Sequence, residues 1–461
     1  MRRALAWMGC AVLGLLVMGD VRADSPTPNI LVIVGDDLGY ADVGFHGCRD
    51  IPTPHLDALA AAGVRFTNGY VTGPYCSPTR AGLLTGRYQT RFGHEFNPSG
   101  GKQGLPVDQA TLADRLAAAG YRTALIGKWH LGSSPAMHPL KRGFHEFFGF
   151  LEGAHSFFDA RGIFRGEAAV PTMDYTTDAF AREATEFIRK NQEQPWFLYL
   201  SFNAVHTPMH ATPERLGKFA HLEDPQRRTY AAMMSAMDDA IGQVRAAVSQ
   251  SGQTERTLIA FFSDNGGPTM AGTTVNGSKN DPFRGSKRTT LEGGIRVPFV
   301  LAWPGRIRSG VYDQPVIQLD VHATALAAAR VEPRPDWQLD GVDLLPYLAG
   351  EKAEPPHAAL YWRFGEQMAI REGQWKLVRY DQAADAPTGK GTSSVKLFNL
   401  AQDRREERDL AASEPDRVRQ LQAQWDAWDK ANSPPLWGGG AGTGAGAGKK
   451  KAKSVNKQAD K

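Results

Sequence analysis

Four apolar runs of the sequence end in loops that carry charged or titratable side chains. Lysines and histidines in such loops can bind an anion and move a proton, whereas carboxylate and amide oxygens can hold a hard cation. Each loop also has an ordinary explanation, because an Asp-Asp pair after a strand or an Asp-Asn-Gly-Gly sequence is often only a polar turn. The four loops are Gly35-Asp36-Asp37, Gly127-Lys128-Trp129-His130, Asn203-Ala204-Val205-His206 and Asp264-Asn265-Gly266-Gly267.

A fifth stretch, Cys76-Ser77-Pro78-Thr79-Arg80, brings a thiol and a guanidinium group together. The chain has three cysteines, and Cys10 lies in an apolar N-terminal run that we expect to be removed. In an exported protein, the remaining Cys48 and Cys76 could form one disulfide bond. The alternative is that Cys76 is a reactive group, with Arg80 either beside it for chemistry or only packed at the start of a helix.

The polar loops follow segments that have the pattern of buried β-strands. Short continuous apolar runs are typical of parallel strands covered by helices on both faces. Segments at residues 111–119, 180–192 and 230–249 alternate with these runs and predict helices. This alternation predicts an α/β domain with a large mixed, mostly parallel central sheet, and places the polar loops at the carboxyl edge, where ligands bind. The predicted strands are residues 29–34, 121–126, 196–202 and 257–263.

The pattern changes near residue 350, where short strand-like runs separated by turns predict a small antiparallel sheet. A helix over residues 414–430 would close this sheet. We therefore assign residues 24–350 to the catalytic domain and residues 351–436 to a C-terminal subdomain. Residues 437–461 are rich in Gly, Ala and Lys and are expected to be disordered. The strand-like runs are residues 359–363, 368–372, 375–380 and 395–400.

The N-terminal residues have the composition of a signal peptide. Arg2 and Arg3 precede an apolar run at residues 4–18, and Val21-Arg22-Ala23 provides small residues at a cleavage site. The run is shorter than the roughly 20 residues that a membrane-spanning helix needs. We expect residues 1–23 to be cleaved, which predicts a periplasmic or secreted protein with no membrane attachment after cleavage.

The formal net charge of +4 does not describe the folded part of the chain. The signal region contributes +2, and the tail from Lys449 to Lys461 contributes +5 through six lysines and one aspartate, so −3 remains for the body. A mildly acidic body has no electrostatic basis for binding nucleic acid. We therefore expect no nucleic-acid partner.

The stretch from Cys76 to Arg80, which continues Ala81-Gly82-Leu83-Leu84-Thr85-Gly86-Arg87, resembles the signature of the type I sulfatases. In that family, C-x-P-x-R directs oxidation of the cysteine to formylglycine. The resemblance covers nearly the whole mature chain in family order, and it implies the alkaline-phosphatase-like fold. The other matching segments are residues 29–47, 53–66, 127–132, 206–208 and 263–267, Lys287 with residues 292–298, and residues 397–410.

The resemblance implies a metal site in which Asp36, Asp37, Asp264, Asn265 and the residue at position 76 hold one ion. The aspartates and the amide oxygen of Asn265 are all oxygen donors, a set that suits Ca²⁺ better than a soft metal. Zinc, as in related phosphatases, is the rival ion. Against zinc, no histidine stands beside either aspartate pair in the sequence.

The resemblance also implies the catalytic roles. A formylglycine at position 76 hydrates, one hydroxyl attacks sulfur, and the second loses its proton as sulfate is expelled. His206 and Lys287 would contact the leaving-group oxygen, with His206 as the general acid. His130 would assist the expulsion of sulfate. Lys128 would hold the sulfate and the aldehyde hydrate, and Arg80 and the two lysines would stabilise charge in the transition state.

The expected partners are a sulfated carbohydrate, favoured over an aryl sulfate, and a formylglycine-generating or sulfatase-maturating enzyme. The chain resembles bacterial enzymes that act on sulfated sugars, including the N-acetylgalactosamine-6-sulfatase-like group. Two other functions stay open: a phosphodiesterase or phosphonate monoester hydrolase of the same superfamily, and a non-catalytic glycan-binding protein. Five residues either line the substrate pocket or are structural, namely Arg91, His94, Glu95, Asn97 and His210.

Overall fold

The computed structural model describes residues 27–438. The predicted signal peptide and residues 439–461 of the predicted tail lie outside this range. The strands are β1 (Asn29–Gly35), β2 (Val64–Phe66), β3 (Gly69–Tyr70), β4 (Arg122–Lys128), β5 (Glu146–Phe150), β6 (Phe164–Arg165), β7 (Ala168–Ala169), β8 (Trp196–Ser201), β9 (Thr257–Ser263), β10 (Phe299–Ala302), β11 (Gly310–Tyr312), β12 (Val316–Ile317), β13 (Leu360–Phe364), β14 (Gln367–Glu372), β15 (Trp375–Arg379) and β16 (Lys396–Asn399).

Helices fill most of the connections between the strands. Short 3₁₀ helices lie at Gly44–His46, Gln89–Phe92, Pro135–Met137, Pro139–Lys141, Thr254–Arg256, Pro335–Trp337 and Gln382–Ala384. The α-helices are α1 (Pro54–Ala62), α2 (Cys76–Thr85), α3 (Leu112–Ala118), α4 (Thr176–Lys190), α5 (Pro213–Lys218), α6 (Pro225–Gln250), α7 (Glu292–Ile295), α8 (Leu319–Ala328), α9 (Leu345–Leu348) and α10 (Pro415–Asp429).

The large sheet has ten strands in the order β11-β2-β10-β9-β1-β8-β4-β5-β6-β7. Its centre is parallel, because β1 pairs in parallel with both β8 and β9, and β4 pairs in parallel with both β8 and β5. Antiparallel pairing begins at β10 on one side and at β6 on the other. The predicted mixed, mostly parallel sheet is confirmed.

Alternate residues of β1 face two separate cores, which explains why the whole strand is apolar. Leu31 and Ile33 pack in the core that α1, α4 and α6 cover, whereas Ile30, Val32 and Val34 pack in the core that α2, α3 and α8 cover. All five side chains are buried. The sheet is therefore the middle layer of a three-layer α/β structure.

A separate antiparallel sheet, β13-β14-β15-β16, forms the C-terminal part of the described chain, with α10 packed on β14 and β15. A buried ion cluster joins it to the rest of the protein. Lys376 Nζ of β15 lies 2.9 Å from an oxygen of Glu292 and 2.9 Å from an oxygen of Glu406. Arg296 Nη1 and Tyr70 OH donate to the other oxygen of Glu292 at 3.1 and 2.6 Å.

No helix among residues 27–438 is long and apolar enough to cross a membrane.

We predict that Lys376→Met lowers the free energy of unfolding by about 3–5 kcal/mol, because it leaves two buried carboxylates without their shared cation. Urea unfolding followed by tryptophan fluorescence measures the change. The matched control is Lys396→Met on β16, since Lys396 is half-buried and forms no ion pair with a carboxylate within residues 27–438. Equal unfolding midpoints for the two variants would show that the cluster does not hold the small sheet in place.

Candidate active site

The structure brings the polar loops together at the carboxyl edge of the large sheet. β9, β1, β8 and β4 are adjacent and parallel, so the residues that follow them lie side by side. The site is built from Asp36 and Asp37 after β1, Asp264 and Asn265 after β9, Lys128 at the end of β4, His206 after β8, Cys76 and Arg80 of α2, and Lys287 and His130 from loops.

Arg80 connects α2 to two strands of the sheet. Its Nε and Nη2 donate to Asp264 Oδ2 at 3.0 and 2.8 Å, and its Nη1 contacts the hydroxyls of Ser201 and Tyr199. Arg80 and Asp264 are fully buried. Burial opposes the charge of the guanidinium, but Asp264 and the other acidic groups nearby together outweigh it and raise the pKa of Arg80 above its ordinary value. The charged fork therefore stays in place and orients the carboxylate.

Asp36 has one occupied and one free carboxylate oxygen. Lys128 Nζ donates to Oδ2 at 2.6 Å, and both side chains are fully buried. Oδ1 accepts no hydrogen bond from residues 27–438, and the nearest guanidinium nitrogen, Arg80 Nη2, is 3.8 Å away. Burial raises the pKa of Asp36 although Lys128 opposes the shift. A cation bound beside Oδ1 would favour the ionised form.

The carboxylate of Asp37 accepts three hydrogen bonds from side chains. The donors are Lys287 Nζ at 2.8 Å, Asn265 Nδ2 at 2.7 Å and Thr274 Oγ1 at 3.0 Å. Burial pushes the pKa of Asp37 upward, but Lys287 and His206 outweigh it and hold the pKa below its ordinary value. The backbone of Asp37 has φ of 62°, in the left-handed region that few non-glycine residues adopt. Asp37 is thus an ionised carboxylate in a fixed orientation.

Cys76 is the first residue of α2, with 1% of its surface exposed. Burial raises the pKa of the Cys76 thiol to about 12, although Lys128 and Lys287 act in the opposite direction. The unmodified thiol is therefore neutral and a poor nucleophile. Cys48 is also a free thiol, and its Sγ donates to Asp50 Oδ1 at 3.2 Å. Cys48 and Cys76 therefore do not form a disulfide bond in the structure.

Ser77 ties the residue after Cys76 to its surroundings. Its Oγ lies 2.6 Å from His94 Nε2 and donates to the backbone oxygen of His130 at 2.7 Å, and its backbone N donates to Asn97 Oδ1 at 3.0 Å. His130 has φ of 59°, and its buried Nδ1 has no hydrogen-bond partner within the described chain. Burial, helped by Lys128, lowers the pKa of His130 well below its ordinary value. The ring is neutral and has an open nitrogen.

His206 lies closer to the aspartates than the sequence indicated. Its Nε2 is 3.5 Å from Asp37 Oδ2, and its Nδ1 is 2.5 Å from the backbone oxygen of Thr207. Burial lowers the pKa of His206 to about 4, although Asp37 raises it. The argument that no histidine stands beside an aspartate pair is therefore wrong in three dimensions. The choice between calcium and zinc rests on the oxygen donors and not on a missing histidine.

One ligand atom from each of Asp36, Asp37, Cys76 and His206 lies within 4.8 Å of the others. Asp264 is not part of this group, and its oxygens already accept hydrogen bonds from Arg80 and from the backbone N of Asp37. Two buried oxygens at the site, Asp36 Oδ1 and Asn265 Oδ1, have no hydrogen-bond partner among residues 27–438. Buried polar atoms are rarely left unpaired, so these orphaned oxygens fit a bound cation.

The charges around Cys76 balance before any ligand binds. Three buried carboxylates, Asp36, Asp37 and Asp264, face three buried cations, Lys128, Lys287 and Arg80. The formal sum is zero when His206 is neutral. A divalent cation would add two positive charges in a region of low dielectric, and an anionic substrate would compensate part of them. The arrangement can therefore bind a negatively charged ester and stabilise further charge on it.

Two of the residues left open by the sequence have structural contacts away from the site. Arg91 pairs with Asp340 at 3.1 Å, and Glu95 pairs with Arg363 at 2.8 Å. His210 is half-buried, and its Nδ1 has no hydrogen-bond partner within residues 27–438. The structure therefore gives His210 neither a contact with the residues around Cys76 nor a structural ion pair within the described chain.

Three hydroxyls that contact the charged groups were not predicted from the sequence, those of Tyr199, Ser201 and Thr274. Ser201 accepts from Arg80 and donates to the backbone oxygen of Lys128 at 2.7 Å. The sequence feature that could have indicated Ser201 is its position as a polar residue at the end of an otherwise apolar strand. Thr274 donates to Asp37 and accepts from Lys287 Nζ at 3.2 Å. No local pattern singles out Thr274, because its partner Asp37 is 237 residues away in the chain.

Comparison with known proteins assigns a family to most of the chain. The sulfatase family model matches residues 28–331, and the model for the C-terminal region of N-sulphoglucosamine sulphohydrolase matches residues 285–426. N-acetylgalactosamine-6-sulfatase of Canis lupus familiaris is 34% identical over 409 residues, which span 81% of this chain and 75% of that protein.

Solved structures give the same grouping. Ps i-CgsB superposes with a TM-score of 0.84 at 35% identity, covering 90% of this chain and 95% of the other. Its complex with k-i-k-neocarrahexaose superposes with a TM-score of 0.82 at 35% identity, covering 89% and 94%. A phosphonate monoester hydrolase from Silicibacter pomeroyi is similar in fold alone, with 21% identity, a TM-score of 0.65 and coverage of 88% and 96%.

We predict that Thr274→Val lowers kcat/KM for a sulfate ester by about 10- to 100-fold, because hydrogen bonds to charged groups are worth about 1.5–3 kcal/mol. Steady-state kinetics measure the effect. Thr273→Val is the matched control, since within residues 27–438 its hydroxyl donates only to the backbone oxygen of Met270. If both variants lose the same activity, the loop matters only for its conformation and the Thr274 hydroxyl has no role at Asp37.

Proposed function

We propose that this chain, which belongs to the sulfatase family and is a sulfuric ester hydrolase, removes sulfate from sulfated carbohydrates with a formylglycine made from Cys76 and one bound Ca²⁺. The observation that carries this proposal is the buried, charge-balanced shell around Cys76, with two orphaned oxygens beside it. Such a shell suits a hard cation and an anionic ester. A cysteine with only a structural role would not need these buried charges around it.

The proposed metal ligands are Asp36, Asp37, Asp264, Asn265 and the modified residue at position 76. A formylglycine at position 76 would supply, as its hydrate, two hydroxyls on one carbon, one for attack on sulfur and one for release of sulfate. A bound Ca²⁺ would supply positive charge for the anionic ester. Burial raises the thiol pKa at position 76 to about 12, which supports a modified nucleophile over the thiol itself.

The side chains of this chain have three tasks. Arg80, Lys128 and Lys287 hold the sulfate and stabilise the charge that develops on it. His130, with its open ring nitrogen, accepts the proton that is lost when sulfate departs. In the neutral ring of His206 the Nδ1 proton is donated to Thr207, so proton donation from Nε2 requires the doubly protonated ring. The negative charges of Asp37 and of the bound ester favour that form.

A sulfated sugar is the proposed substrate class. Ps i-CgsB has been solved with a neocarrahexaose, and the canine relative is an N-acetylgalactosamine-6-sulfatase. Both are proteins named for sugar substrates or solved with one, which supports a carbohydrate over a simple aryl sulfate. Oxidation of Cys76 requires a formylglycine-generating or sulfatase-maturating enzyme as a partner. The expected signal peptide adds the proposal of a periplasmic or secreted location.

The first test concerns Cys76. We expect peptide mass spectrometry of active protein to show an aldehyde at position 76, and Cys76→Ala to abolish release of sulfate from sulfated sugars. A matched phosphate diester should be turned over more slowly, and Cys48→Ala is the control for loss of a thiol alone. A fully active sample with an intact Cys76 thiol contradicts the mechanism, and faster hydrolysis of the phosphate diester identifies a phosphodiesterase.

The second test concerns the metal. Because the proposed ligands are oxygen donors, chelation with EDTA should inactivate the enzyme, and Ca²⁺ should restore activity better than Zn²⁺. Elemental analysis of active protein should give about one calcium per chain. Asp264→Ala should lose both metal and activity, whereas Asp416→Ala on α10, an exposed aspartate, should retain both. Active protein that contains zinc and lacks calcium would overturn the ligand argument.

The third test concerns the proton for the leaving group. A sugar alcohol leaves poorly and a nitrophenolate leaves almost unaided, so the loss in His206→Ala should depend on the substrate. General acid catalysis contributes about 10²–10⁴-fold, and most of that factor should be lost on a sulfated sugar and little of it on nitrophenyl sulfate. Lys287→Ala should show a weaker dependence, because Lys287 also holds the sulfate. Equal losses on both substrates would mean that His206 only orients the substrate.

A further inference from the structure

A second cleft, of about 690 Å³, lies between the end of the large sheet formed by β11 and β2 and the C-terminal sheet. Four arginines line it, Arg65, Arg296, Arg371 and Arg404, against the single carboxylate of Asp313. None of its lining residues belongs to the site around Cys76. The cleft is therefore a separate, positively charged feature of the surface.

The cleft opens at the same edge of the sheet as the active site. β2 is antiparallel to β10, and β10 is antiparallel to β9, so β2 runs in the direction of β9. Thr67 and Asn68 of the cleft therefore follow β2 at the edge where Asp264 follows β9. β2 and β9 are two strands apart in the sheet, so the residues that follow them lie about 10 Å from each other across the strands. Tyr40 of the cleft is three residues after Asp37, which limits their Cα separation to about 11 Å.

The arginines are only partly compensated. Arg296 pairs with Glu292, and Arg371 donates to Asn68 Oδ1 at 2.8 Å and to Tyr70 OH. Arg65 donates to the backbone oxygen of Phe45 at 2.7 Å. Arg404 is exposed and forms no hydrogen bond or ion pair within the described chain. With the neighbouring Lys376, five cations face three carboxylates, those of Glu292, Glu406 and Asp313.

The rest of the lining suits a sugar. The amides of Gln314 and Gln374 can bond to hydroxyl groups, since each amide both donates and accepts. The Tyr40 ring stacks on His46 at 3.9 Å and meets Phe283 edge-on at 4.5 Å, which gives the cleft a rigid aromatic wall. Burial lowers the pKa of His46 to about 3, so this ring is neutral and part of the wall.

We propose that this cleft binds a second anionic sugar unit of the same glycan whose sulfate ester lies at Cys76. The inference rests on the proposed function, because it needs a sulfated carbohydrate as substrate. An excess of arginines binds the sulfate or carboxylate of the second unit, and the amides and the aromatic wall bind its ring. The cleft thus makes the enzyme prefer an oligosaccharide over a monosaccharide with the same scissile ester.

The test compares long and short substrates in wild-type protein and in the double variant Arg65→Gln/Arg404→Gln. The probes are chondroitin 6-sulfate and neocarrahexaose-type hexasaccharides, and the sulfated monosaccharide that corresponds to each. We expect KM for the hexasaccharide on which the enzyme acts to rise about 3- to 10-fold, with kcat and the monosaccharide KM unchanged. The difference should shrink as salt rises, because these arginines are partly exposed. The matched control, Arg189→Gln/Lys190→Gln at the end of α4, should behave as wild type.

Each outcome separates the two proposals. Wild-type protein that releases no sulfate from any probe overturns the proposed function. Active wild-type protein with unchanged hexasaccharide KM in the double variant overturns the cleft proposal alone. An equal rise in KM on the monosaccharide also overturns it, because the arginines would then act at Cys76. A competition measurement with heparin and DNA is a further check. If DNA competes with the hexasaccharide as strongly as heparin does, the cleft is a general polyanion surface and not a sugar site. Unfolding midpoints check that the variants are folded.

Discussion

The burial of six ionised groups at one edge of the central sheet is the constraint on which the rest of the structure depends. Moving an ion from water into a protein interior costs several kcal/mol even after relaxation, so each charge needs a partner in good geometry. Asp36, Asp37 and Asp264 find theirs on different elements of the chain. The partners are Lys128 at the end of β4, Lys287 in a loop and Arg80 in α2. The adjacency of β9, β1, β8 and β4 makes these pairs possible.

A second buried cluster extends this constraint to the C-terminal sheet. Lys376 of β15 bridges Glu292 and Glu406, and Glu292 also accepts from Arg296 and Tyr70. Lys376 and Arg296 keep Glu292 ionised, because they outweigh burial and lower its pKa to about 2. Glu292 follows Lys287 by five residues. The small sheet therefore anchors the segment that carries Lys287 of the candidate site, and it helps to position that site.

Patterns along the chain predicted the elements well because hydrophobic periodicity is local. The strand over residues 257–263 has the predicted bounds, and α6 begins five residues before its predicted start, at Pro225 after the capping side chain of Asp224. Contacts between distant loops had no such signal. The Thr274–Asp37 contact depends on which strands are neighbours, and so does the position of His206 beside Asp37. Family resemblance supplied the residues of the site, and only the fold shows which of them touch.

The charge balance also explains where specificity must come from. A neutral shell with an added dication attracts any monoanionic ester, and a sulfate monoester and a phosphate diester each carry one negative charge. The groups that hold the anion therefore discriminate weakly between them. Selection has to act on the alcohol side of the ester, where we propose that His206 and Lys287 approach the leaving group, and on parts of the substrate further away. Binding energy from remote contacts can raise the rate at the reacting centre, which gives an arginine-lined cleft at the same sheet edge a direct influence on substrate choice.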